Sequence, residues 1–154
     1  MSLNDYCARK LATPAAHLAA GAPDDAVRRA AMLFGGSLVG IVAYGSWTRQ
    51  DLSDTSDVDV LVILEAAIGL TRDLYREWDE EPVRWGRHVV EPHFVHFPAD
   101  DHVSGLWAEA AIDGVVLFDR DLIVARKLVG IRRRIMIGEL ERRTIHGQPY
   151  WVES

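Results

Sequence analysis

One cysteine, Cys7, stands in 154 residues, so no disulfide can form within the chain and a reducing compartment, the cytoplasm, is expected. No apolar run approaches the length that crosses a bilayer, and no membrane partner is expected. The opening residues lack a basic segment followed by an apolar one, so no secretory leader is expected. Positive charge is also scarce. Seventeen Lys and Arg face 23 Asp and Glu, for a net charge of −6, which argues against strong sequence-independent binding to DNA or RNA. His88, His93, His96 and His102 have no cysteine near them, and strand alternation sends His93 and His96 to opposite faces, so a zinc site is not expected. There is no internal repeat or low-complexity linker.

What is there is a chain that is 49% hydrophobic and long enough to bury a core. It reads as one domain over residues 1–154, with a core over about 24–118 and a C-terminal helix over about 121–143. A catalytic domain joined to a large nucleic-acid-binding domain would not fit. The stretch from Asp5 to Ala20 is Ala- and Leu-rich and reads as helical, with a kink or break at Pro14. Asp24 and Asp25 suit the first turn of a helix over 26–34, which Gly35-Gly36 stops. Apolar runs predict strands over 38–44 and from Val58 onward. A helix over 70–81 closed by Pro82, a strand over 87–97, a helix over 100–112 and a short strand over 115–118 follow. The last helix is the most basic stretch and reads as a solvated face around an apolar stripe of Leu128, Ile131, Ile135 and Ile137 or Leu140. Its functional reading is a surface for an acidic partner or for the outer end of a triphosphate. The tryptophans read mostly as core or interface, with Trp47 a candidate to line a pocket.

The most informative residues join the first two strands. Leu38 to Tyr44 delivers Gly45-Ser46, and the second run opens on Asp57-Val58-Asp59. Acids two apart on a strand share a face. Like charges so close repel, so a cation is expected between them, and Mg²⁺ suits a pair of carboxylates whose remaining ligands come from substrate phosphates. Gly45 and Ser46, at a strand-to-helix turn, would offer backbone N–H groups and a hydroxyl to those phosphates. Ser56 and Arg49 are weaker candidates for phosphate contact, each equally readable as a turn or solvated residue.

The stretch Gly45-Ser46-Trp47-Thr48-Arg49-Gln50-Asp51-Leu52-Ser53-Asp54-Thr55-Ser56-Asp57-Val58-Asp59 resembles the signature of the DNA polymerase beta-type nucleotidyltransferase superfamily, above all its minimal stand-alone prokaryotic members, which include antitoxin-type relatives. The earlier Gly36-Ser37 has no Asp-x-Asp pair at the matching distance. The resemblance implies a nucleotidyltransferase fold of the α/β (α+β) class: a small mixed sheet of about four strands flanked by helices, packed mainly on one face, with a long C-terminal helix. It implies one or two Mg²⁺ ions and the transfer of a nucleoside monophosphate, AMP from ATP or from another nucleoside triphosphate, to a hydroxyl of a small molecule or protein. Asp57 and Asp59 would be catalytic and metal-binding. A third acid on a neighbouring strand completes such sites in catalytic members, and Glu91 is the only acid inside the third strand, although Pro92 beside it suggests an edge or bulge. His93 shares its face and reads most simply as facing solvent. The alternative implied by the antitoxin-type relatives is a non-catalytic or weakly catalytic interaction protein with a small helical partner. The sequence leaves the acceptor and any homo-oligomer open.

Overall fold

A computed structural model describes residues 24–45 and 57–154. The expectations for Asp5 to Ala20, Cys7, Ser46, Trp47, Arg49 and Ser56 lie outside the described residues.

The chain folds as a mixed α/β structure. In order come helix α1 (Asp24–Phe34), strands β1 (Leu38–Tyr44) and β2 (Val58–Leu64), α2 (Arg72–Asp79), β3 (Arg84–Trp85), β4 (His88–His96), α3 (Gly105–Asp113), β5 (Val115–Asp119), α4 (Ile123–Met136), β6 (Leu140–Ile145) and β7 (Gln148–Glu153). A five-stranded sheet runs β3-β4-β2-β1-β5, and β6 and β7 form a separate hairpin. β1 is antiparallel to β2 and β5, and β2 is parallel to β4. β1 and, from Val60 onward, β2 are continuous apolar runs rather than alternating ones because both faces of the sheet are covered there. On one face Ala26 and Ala30 of α1 and Trp78 of α2 pack with Val58, Val60, Val62 and Leu64. On the other, Trp107 and Ala111 of α3 and Val124, Leu128, Ile131 and Ile135 of α4 pack with Val42, Leu61 and Ile63. The helices therefore divide between two faces, where one had been expected, and the sheet has five strands rather than four.

Pro92 sits where β4 has one neighbour in the sheet. β3 reaches only as far as Val89, so the outer edge of β4 beyond it needs no donor at position 92. The edge expectation for this segment therefore describes the strand well.

The C-terminal helix is shorter than its sequence suggests. It ends at Met136, and Gly138 takes φ +83, a left-handed conformation that only glycine adopts without strain. The remaining residues form the β6–β7 hairpin, closed by a two-residue loop, His146-Gly147, with φ of +49 and +77. Positive φ at both central residues is the type I′ geometry that matches the twist of paired strands. The helix start is held by Asp119, whose carboxylate accepts from Val124 N at 2.9 Å and Ala125 N at 2.8 Å. Arg132 departs from the solvated face expected of this helix. It is 2% exposed, and its guanidinium donates to the carbonyls of Ala111 and Gly114, satisfying the C-terminal end of α3.

Candidate nucleotide and metal site

The strand register builds the site. Tyr44 lies opposite Asp59 across β1 and β2, and Asp59 lies opposite Glu91 across β2 and β4. On β2, Val58 and Val60 point to the α1 and α2 side, so the pleat sends Asp59 to the α3 and α4 side. On β4 the buried residues Val90, Pro92 and Phe94 alternate with Glu91 and His93, which puts those two on the same side as Asp59. One end of one sheet face therefore carries Tyr44, Asp59, Glu91 and His93. Asp57 immediately precedes β2 and is exposed.

His93 does not simply face solvent. Its Nε2 lies 3.3 Å from Asp59 Oδ1, with both side chains about two-fifths exposed. The hydrogen bond to Asp59 raises the imidazole pKa, against partial burial that lowers it. His93 thus gives Asp59 a neighbour that carries positive charge when protonated. The Glu91 carboxyl is also raised, first by desolvation and then by the charge of Asp57. Tyr44 is 8% exposed, and burial together with Asp59 pushes its phenol far above the ordinary range. It is therefore a neutral wall beside the acids, its ring centroid 6.0 Å from that of His93.

Gly45 continues directly from β1 with φ +89, and a Cβ built there would stand 3.3 Å from Asp59 Oδ2. Glycine keeps the approach to that carboxylate open and adopts a conformation that L residues rarely do. Its backbone N–H points to Asp113 Oδ1 at 3.5 Å. Asp113 is 2% exposed at the end of α3, a placement beside the site that its sequence context does not announce.

The donor chemistry fits a hard divalent ion. Asp57 and Asp59 offer carboxylate oxygens and Gly45 leaves room beside one of them. Glu91 is on the right strand and face, yet among the described residues no three His, Cys, Asp or Glu side chains converge closely enough to hold a metal. His96, at the end of β4, is occupied elsewhere, its Nε2 2.6 Å from Ile68 O. Among the described residues no helix is long and apolar enough to cross a membrane.

Comparison with protein-family models and with curated proteins finds no match. Among solved structures, the chain is similar to a candidate nucleotidyltransferase from Sulfolobus solfataricus, with 20% identity, 79% of this chain and 90% of that one covered, and a TM-score of 0.45. It is also similar to a toxin–antitoxin protein crystallised with AMP-PNP, with 14% identity, 75% and 91% covered, and a TM-score of 0.46.

Proposed function

We propose that the chain is a Mg²⁺-dependent nucleotidyltransferase that moves a nucleoside monophosphate, AMP from ATP, to a hydroxyl of an acceptor. The observation that carries this reading is Gly45 seated against Asp59, an open turn beside a strand-borne carboxylate, within the Gly-Ser to Asp-x-Asp spacing. Asp57 and Asp59 would hold the ion, which when bound neutralises charge on the triphosphate and the leaving pyrophosphate. Gly45 and Ser46 bind and orient the outer phosphates. Tyr44 excludes water from one side of the carboxylates. Glu91 accepts the proton of the attacking hydroxyl, a role that its raised pKa favours because a more basic carboxylate is a better proton acceptor. Incubation with Mg²⁺, α-labelled ATP and fractionated lysate tests the reading. Label becomes attached to an acceptor, and Asp57→Asn abolishes the transfer.

One alternative is a non-catalytic or weakly catalytic interaction protein of a two-protein module with a helical partner, a reading favoured by the lack, among the described residues, of three acidic or imidazole side chains grouped to hold a metal. Absence of any labelled acceptor, with ATP still bound, selects that alternative.

A further inference from the structure

A cavity of about 480 Å³ opens beside α4, and none of the candidate-site residues lines it. Cavities of this order accommodate small organic ligands. Its charged wall is a stripe of one helix: Arg126, Lys127 and Arg134. Gly130 stands midway along the stripe, where a Cβ would meet nothing within 4 Å. A glycine inside a helix costs roughly 0.5–1 kcal/mol relative to alanine, and no neighbouring atom requires one at this position. The missing side chain leaves the space between Arg126 and Arg134 open.

The cations are fixed in place. Arg126 Nη2 donates to Asp121 O at 2.8 Å, Lys127 Nζ to Asp100 O at 3.3 Å, and Arg134 Nη1 to Asp101 O at 2.8 Å. Backbone carbonyls immobilise Arg126 and Lys127 without cancelling their charge, whereas Arg134 also pairs with Glu139 and, at 3.9 Å, with Glu153. Two carboxylates, Asp101 and Glu139, also line the cavity, with Arg134 Nε 3.3 Å from Glu139. Three cations against two acids leave the lining positive in a chain whose net charge is −6. Buried Val103 and Ile131 supply an apolar floor. Along the helix the stripe extends about 12 Å, at 1.5 Å per residue, which exceeds a single carboxylate and suits a chain of phosphates gripped by guanidinium forks.

We propose that this cavity is a second, anion-binding site, distinct from the acid-bearing end of the sheet, and that it takes the phosphate groups of a small diphosphate-bearing molecule. Calorimetric titration of inorganic pyrophosphate into the full chain, in low-salt buffer with EDTA, tests it. The expected result is saturable binding that Gly130→Leu abolishes, Lys127→Gln weakens about tenfold, and Asp59→Asn leaves unchanged. Should Gly130→Leu not melt cooperatively, Lys127→Gln and Arg126→Gln decide. No saturable binding to the wild type overturns the proposal. So does binding that folded cavity variants retain in full, or binding that Asp59→Asn removes.

Discussion

The two faces of β2 carry opposite instructions. Toward α1 and α2, Val58, Val60, Val62 and Leu64 are all fully buried, and that face does nothing but hold the sheet to its helices. Toward α3 and α4, Leu61 and Ile63 are equally buried, but the first residue on that side is Asp59, left about two-fifths exposed against His93. A single strand thus serves the core along its length and the site at its opening. The apolar pattern has only to fail at one position on one face.

Moving a carboxylate from one face to the other breaks this comparison most severely. Val60→Asp buries an unpaired charge among α1 and α2 residues and is expected to cost upward of about 4 kcal/mol, a large share of the stability of a typical domain. Asp59→Val, one residue away, leaves the chain folded. Denaturant melts of the two variants read the difference directly.

A smaller effect is expected at Glu91, which shares the site face and lies opposite Asp59 across β2 and β4. Glu91→Gln keeps Mg²⁺–ATP affinity but lowers turnover by about 10². Single-turnover transfer kinetics alongside nucleotide titration separate the two quantities. Unchanged turnover assigns Glu91 no part in the chemistry.

The third effect concerns how α3 meets the sheet at the site end. A Cβ at Gly114 would stand 2.1 Å from Ala110 O and 2.9 Å from Val42 Cγ1, so Gly114→Ala forces the end of α3 off β1 at a cost of about 1–3 kcal/mol. Because Asp113 faces Gly45 from that same helix end, nucleotide affinity falls with stability. Thermal melts with and without ATP check both.

The smallest effect is a pH dependence. The His93 pKa is raised in the fold by Asp59, so this interaction stabilises fully below the ordinary imidazole value of about 6.5 and is lost as pH rises through the higher folded value. Without metal, the melting temperature of the wild type should fall modestly between about pH 6 and 8. His93→Gln flattens that slope.

How much of this was legible in the sequence depended on how local the cause was. β1 matches its sequence-read limits, 38–44, because a β-branched run stopped by glycines at both ends specifies itself. Asp57 and Asp59 declared themselves by spacing. His93 did not, although its shared face with Glu91 could be read from alternation: its partner lies 34 residues away, and only the parallel pairing of β2 with β4 joins them. Arg132 was hidden for the same reason, its acceptors being the last carbonyls of a different helix. The hairpin was missed because Arg142 and Arg143 extend the basic helical stretch in composition. Its signal was present in His146-Gly147 set between Thr144-Ile145 and Tyr150-Trp151-Val152, a two-residue turn between β-formers.

The central claim is that the open end of the α3 and α4 face binds a metal–nucleotide complex through Asp59 and its neighbour Asp57. Calorimetric titration of ATP, with and without Mg²⁺, into the wild type and Asp59→Asn tests it most directly. The account predicts saturable, Mg²⁺-dependent binding to the wild type and none to the folded variant. Binding that is equal in both, or absent from the wild type, contradicts it.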